Sequence, residues 1–200
     1  MRPRRPPGGG RLQRWLRGGL LGAMLAAATV AGRADEGAFS VRDGELSRRD
    51  GIVYLDARLD YRLSDAATEA MENGVPLVIV QAVQVTRERL WGWWWDAVVA
   101  GLTRRHRLQY HALSRRYVLT NLNTGDSRSF RTLNALLPAL GEIEDLPVID
   151  SARLQPGQRY RVRLATRLDV DALPRPLRTV AYLSDAWALD SGWRQWELTP

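Results

Sequence analysis

Between Gly51 and Leu63 the sequence GIVYLDARLDYRL changes character at almost every step. Val53, Leu55, Ala57, Leu59, Tyr61 and Leu63 fall on one side of an extended chain, and Tyr54, Asp56, Arg58, Asp60 and Arg62 on the other. Strand side chains alternate between faces, whereas helical ones repeat about every 3.6 residues. A period of two therefore predicts a half-buried antiparallel strand with alternating charges on its wet face. Residues 38–48 are expected to pair with it through a turn near Arg49-Asp50-Gly51.

The same period dominates the rest of the body. A short helix follows, with Ser64 as its cap, Asp65 and Glu69 complementing its N-terminal dipole, and Asn73-Gly74 as its stop. PLVIVQAVQV, residues 76–85, is β-branched and nearly all apolar, which marks a central strand. Residues 96–112 and 116–121 form a long hairpin turning at Leu113-Ser114-Arg115, and Asn123-Thr124-Gly125-Asp126 is a further turn. Residues 132–140 suit a second short helix that Pro138 either kinks or ends early. Strands are expected at 143–149 and 159–170, with Gln155-Pro156-Gly157-Gln158 as the turn between them. Leu173-Pro174-Arg175-Pro176 reads as extended or loop, and 179–183 and 194–198 as terminal strands. Seven to nine strands, two short helices and no βαβ alternation predict one mainly β domain over residues 35–200. The expected architecture is an antiparallel β-sandwich, immunoglobulin-like, with a partly open barrel as the alternative.

Charge is placed unevenly. The chain has 29 basic and 22 acidic residues, a formal charge of +7. Arg2, Arg4, Arg5, Arg11, Arg14, Arg17 and Arg33 account for all of that excess, and no acid precedes Asp35. The body beyond residue 34 is formally neutral, so the pI near 10.6 describes the leader. Nucleic-acid binding, which needs a net basic face, is not expected of such a body. The leader has the anatomy of a secretory signal: an Arg-rich n-region, the small-apolar run GGLLGAMLAAATV, then Ala31-Gly32-Arg33-Ala34. Small residues at −3 and −1 place cleavage after Ala34, with Ala31 as the second choice. The apolar run is shorter than the roughly 20 residues a helix needs to span a membrane. A periplasmic location follows, and an uncleaved segment anchored in the inner membrane is the alternative. The chain has no Cys, and a domain of this length can bury a sufficient core without disulfide staples.

Trp91, Trp93, Trp94 and Trp95 form the most unusual local feature. In an extended chain Trp91, Trp93 and Trp95 share a face while Trp94 points away. Each indole carries an N–H that needs a partner when buried, so these four are the candidate binding surface. One reading is an aromatic platform for a glycan, a peptide or a lipid headgroup. The other is structural, the indoles sealing one edge of the sandwich against Trp187, Trp193 and Trp196. His106 and His111 are five apart on one strand, hence on opposite faces and unable to share a metal. Asp56 and Asp60, interleaved with Arg58 and Arg62, read as a solvated charge ladder. Arg104-Arg105-His106-Arg107 with Arg115-Arg116 could meet phosphate or an anionic envelope polymer, but charges that protect strand edges account for them more simply. No nucleophile elbow, zinc-protease helix, P-loop or cofactor motif is present, so neither catalysis, nor a metal, nor a cofactor is expected.

Taken in order, these features resemble an uncharacterised proteobacterial exported family, the domain-of-unknown-function family numbered 4390. The resemblance rests on Val53-Tyr54-Leu55-Asp56-Ala57, Asn73-Gly74-Val75-Pro76-Leu77 and Trp93-Trp94-Trp95-Asp96. It continues through Leu108-Gln109-Tyr110-His111-Ala112-Leu113, Tyr117, Leu173-Pro174-Arg175-Pro176-Leu177 and the closing Trp187, Trp193 and Trp196. The resemblance implies export, no assigned activity and an accessory or sensing role in the envelope, since members often lie beside a membrane sensor kinase and response regulator of the nitrogen-regulation type. The expected function is thus non-enzymatic contact with the periplasmic part of a membrane protein, with ligand binding by the Trp platform as the alternative. If the leader is a cleaved signal, protein recovered from the periplasm begins at Asp35, or at Gly32 for the second site. N-terminal sequencing reads this directly, and a chain retaining Met1 in the membrane fraction would establish the anchor instead.

Overall fold

The computed structural model describes residues 37–88 and 96–199. The leader and Trp91, Trp93, Trp94 and Trp95 lie outside the described residues. Strand β1, Ala38–Arg49, turns back into β2, Ile52–Arg62. The two turn residues, Asp50 and Gly51, have φ of 51° and 78°, the left-handed pair that suits the twist of a tight hairpin. Ser64 caps helix α1, Asp65–Glu72, accepting from the Ala67 N–H at 3.2 Å. The same hydroxyl donates to the Ala186 carbonyl at 2.6 Å, so the cap also ties α1 to a distant loop.

Next come β3, Leu77–Arg87, then β4, Ala97–His111, and β5, Arg116–Asn121. A short β6, Ser127–Phe130, leads to helix α2, Leu133–Gly141, and strand β7, Glu142–Asp150. Strand β8, Tyr160–Leu168, helix α3, Arg175–Tyr182, and β9, Arg194–Leu198, complete the unit. All pairings are antiparallel. They form a three-stranded sheet, β1-β2-β7, and a six-stranded sheet, β6-β5-β4-β3-β8-β9. The domain is mainly β, two antiparallel sheets with three short helices, as the period of two predicts.

The alternating face of β2 is the heart of the core. Val53, Leu55, Ala57, Leu59, Tyr61 and Leu63 are all buried, against Leu77, Ile79, Val83 and Val85 of β3 and Tyr160, Val162, Leu164 and Leu168 of β8. Helix α1 contributes Ala67 and Met71, and α2 contributes Leu136 and Leu140. One polar seam crosses this interior. Gln81 Nε2 donates to the Tyr61 hydroxyl at 2.9 Å and to the Leu140 carbonyl at 3.0 Å. The Tyr61 hydroxyl also lies 2.9 Å from Thr166 Oγ1.

Two elements differ from the sequence reading. Residues 127–130, to which the sequence reading assigns no element, form β6. Residues 179–183, expected as a terminal strand, belong instead to α3. Pro174 and Pro176 explain this: a proline costs nothing in the first helical turn, where its missing N–H has no partner anyway. The Leu177 and Arg178 N–H groups both bond the Pro174 carbonyl at 3.0 Å. Pro138 lies inside α2, which continues to Gly141.

Helix α2 reaches β2 through Gly141, whose added Cβ would sit 2.1 Å from the Leu59 carbonyl oxygen. Nothing larger than hydrogen fits against that backbone. Gly141→Ala should therefore destabilise the domain by about 1–3 kcal/mol or more, whereas Gly157→Asn, in an open turn at φ 77° where Asn is the best tolerated side chain, should cost about 1 kcal/mol at most. Urea midpoints of the two variants check this.

Candidate functional site

The sequence candidates Trp91, Trp93, Trp94 and Trp95 lie outside the described residues, and their suggested partners separate in space. Trp187 is buried in the core, and Trp196 is half-buried over Gly44 of β1, where its ring would clash with any Cβ. Trp193 is exposed, with the Arg163 guanidinium 4.6 Å from its ring centre. The arginine run on β4 is divided by the strand period. Arg104 and His106 face inward, and Arg105 and Arg107 face outward and are exposed. His106 is 5 % exposed, whereas His111 is exposed on the opposite face.

The inward set forms a polar row across three strands. Thr166 of β8, Gln81 of β3 and Arg104 of β4 are register partners, with His106 one inward position further along β4. Gln81 Oε1 and His106 Nδ1 are buried without a hydrogen-bond partner among the described residues. Burial lowers the pKa of the Arg104 guanidinium, and no carboxylate among the described residues pairs with it. Burial, and then the neighbouring Arg104 charge, push His106 down to about 4. Burial pushes the Tyr61 phenol up. The sequence signal for this row was a polar residue at an inward position of an otherwise apolar strand: Gln81 in PLVIVQAVQV and Thr166 in RYRVRLATRLDV.

The outer face of the six-stranded sheet is rich in arginine. Arg105 and Arg107 come from β4, and Arg161, Arg163 and Arg167 from β8. Strand β3 between them presents Val78, Val80 and Ala82, with Val80 in register with both Arg105 and Arg167, and Val78 with Arg107. A shallow cavity of about 570 Å³ opens here, lined by Val78, Arg105, Arg107, Gln109 and Ala172 among others. Arg105 Nη2 bonds Asp169 Oδ2 at 2.6 Å, while Arg161 pairs with Glu88 and Asp96.

The outer face of the three-stranded sheet is mixed in charge. Asp60 pairs with Arg42, Arg49 with Asp145, and Asp56 accepts from the Asp145 N–H at 2.7 Å. That is the solvated ladder the alternating sequence suggests. A cleft of about 640 Å³ lies beside it, between Arg42, Arg58 and Asp60 and the Leu137-Pro138 side of α2. Among the described residues no three His, Asp or Glu side chains come together as metal ligands, and no helix is long and apolar enough to cross a membrane.

His106 gives the stability a defined pH dependence. The unfolded imidazole takes up a proton near 6.5 and the folded one only near 4, so below 6.5 protonation favours unfolding. The full stabilisation exists above about pH 6.5 and falls as pH drops to 4, by about 3 kcal/mol at most. Denaturant melts at pH 7 and pH 4.5 should show this loss, and His106→Gln should remove that component of it.

The model of a protein family described as "Domain of unknown function (DUF4390)" matches residues 36–197, nearly all of the described fold. No curated protein and no solved structure matches the chain. The matched span takes in both sheets, the inner polar row and the arginine-rich outer face: the chain belongs to the DUF4390 family.

Proposed function

We propose that this chain is an exported, non-enzymatic envelope protein that contacts the periplasmic part of a membrane protein through the open side of β4. The observation that carries the reading is the uneven pairing of that strand. Strand β5 pairs only with His106–His111, so among the described residues no strand lies along the far side of β4 before Arg105. Two side chains touch that side, Asn123 Nδ2 on the Thr103 carbonyl and Arg153 on the Val99 carbonyl, both at 2.9 Å. Since alternate residues of an antiparallel strand point their N–H and C=O to the same side, those of Gly101 face outward too. Gly101, Leu102 and Thr103 are exposed, as is Val98.

The other sheet margins carry devices that discourage strand addition. Strand β1 is bulged between Val41 and Asp43 and is densely charged. Strand β7 contains Pro147, and β6 and β9 are short. Among the described residues β4 has no such block at Gly101, where a partner's extended segment would find one outward donor and one outward acceptor.

Gly101→Pro removes the outward N–H and leaves the β3 side intact, as proline does on an edge strand. Crosslinking in intact cells followed by mass spectrometry should enrich an integral membrane protein with a periplasmic part. That enrichment should drop severalfold in the Gly101→Pro variant at unchanged protein level. Equal recovery by both chains, or none by the parent, would overturn the reading.

A further inference from the structure

The inner face of β4 is covered less completely than that of β3. Val83 and Leu102 are register partners on that face, yet Val83 is 2 % exposed and Leu102 36 %. Gln81 and Arg104, the next inward pair, repeat the step, Gln81 fully buried and Arg104 only half-buried. The cover over β3 thus stops short of Leu102 and Arg104, and these two flank the outward edge at Gly101.

Arg104 is also a cation without a counter-charge. Arg42 and Arg49 on the small sheet, and Arg105 and Arg161 on the outer face of the large one, each pair with a carboxylate. Arg104 forms neither an ion pair nor a hydrogen bond among the described residues. The titratable groups that act on it are Tyr61 and His106, and neither is negative at neutral pH. A guanidinium half removed from water gains from any carboxylate brought to it. A strand added at Gly101 would place two side chains on the inner face, one opposite Ala100 and one opposite Leu102. The second stands diagonal to Arg104. With strands about 4.8 Å apart and alternate residues about 6.6 Å apart, the two Cα atoms are about 8 Å from each other, within reach of long side chains. A free anion would meet Arg104 but leave Leu102 and the Gly101 N–H and carbonyl in water, whereas an extended peptide meets all of them.

We infer that the segment added to β4 is acidic: it carries an aspartate or glutamate opposite Leu102, whose carboxylate pairs with Arg104, and an apolar side chain two residues away, opposite Ala100. This deepens the reading of the β4 edge and rests on it. The test repeats the intact-cell crosslinking with the full chain and three variants. Arg104→Met keeps an apolar stem without the charge, Arg104→Lys keeps the charge, and Arg107→Gln alters the opposite face of the same strand. Recovery of the membrane protein should fall about tenfold in R104M, the factor a charge-assisted hydrogen bond contributes. It should be largely kept in R104K and unchanged in R107Q. The partner peptide crosslinked to β4 should contain the acid. Exchanging that acid for its amide should lower recovery by the parent about tenfold and recovery by R104M no further. Urea midpoints verify that the variants are folded, and Arg104→Gln serves if R104M is not. A midpoint that falls in R104M and returns in R104K shows a counter-charge within the chain and overturns the inference. Lost recovery in Gly101→Pro with full recovery in R104M, or a crosslinked peptide without an acid, overturns it and leaves the β4 edge standing. Equal recovery by parent and Gly101→Pro overturns both.

Discussion

Everything else in this domain depends on covering one face of β2. Val53, Leu55, Ala57, Leu59 and Tyr61, with Leu63 just beyond its end, project from the middle strand of a three-stranded sheet, and so small a sheet is marginal in water without a second layer. The six-stranded sheet supplies that layer, and α1 and α2 add Met71, Leu136 and Leu140 to it. A strand with a period of two is unforgiving, because a slip of one residue turns its whole apolar face to solvent. The seam of Gln81, Tyr61 and Thr166 adds a second restraint of a different kind. Its hydrogen bonds are buried, so an alternative register would leave the Gln81 amide and the Tyr61 hydroxyl unpaired at a cost of about 1–3 kcal/mol each. Apolar burial holds the two sheets together, and the polar seam selects which residues face which.

The parts of this fold that were legible in the sequence are those decided locally. The β1–β2 turn needed two residues tolerant of positive φ, and Asp50-Gly51 are such residues. The start of α1 was readable because Ser64 caps it and Asn73-Gly74 ends it. The failures came where local signals compete. In 179–183 the β-branched Thr179 and Val180 suggested a strand, yet Pro174 and Pro176 upstream prepared a helix with only Ala181 buried. In β6 the four residues Ser127–Phe130 carry almost no apolar signal, and the strand exists because its backbone pairs with β5. Its ladder partner, not its composition, makes it a strand.

The site shows the same division. Alternation alone correctly placed His106 and His111 on opposite faces. It could also have separated Arg104 from Arg105 and Arg107, but only once the strand is known to lie between two differently occupied faces. What alternation cannot supply is which other strands stand alongside. Arg105 and Arg167 are 62 positions apart in sequence and meet across Val80 only through the β4-β3-β8 order. Gly101 is exposed for a comparable reason: β5 is too short to follow β4 along its full length.

Net charge was therefore a sound guide to the chain's average and a poor guide to its surface. Setting aside the seven arginines of residues 1–34 makes the total zero, which argues against a uniformly basic protein but says nothing about how the remaining charges are distributed. The two sheets distribute them differently. On the small sheet, acids and arginines alternate along β2, and charges of different strands neutralise one another at the range of a contact, as Asp60 of β2 does with Arg42 of β1 and Asp145 of β7 with Arg49 of β1. On the large sheet, arginines from β4 and β8 converge over the apolar strand β3, and the acids that meet them come from beyond the strand ends, Asp169 on Arg105 and Glu88 and Asp96 on Arg161. Charges that alternate cancel within a few ångströms, whereas charges of one sign on neighbouring strands add out to about the screening length, some 8 Å in physiological salt. Strand order, more than composition, thus decides which charges of a formally neutral body meet.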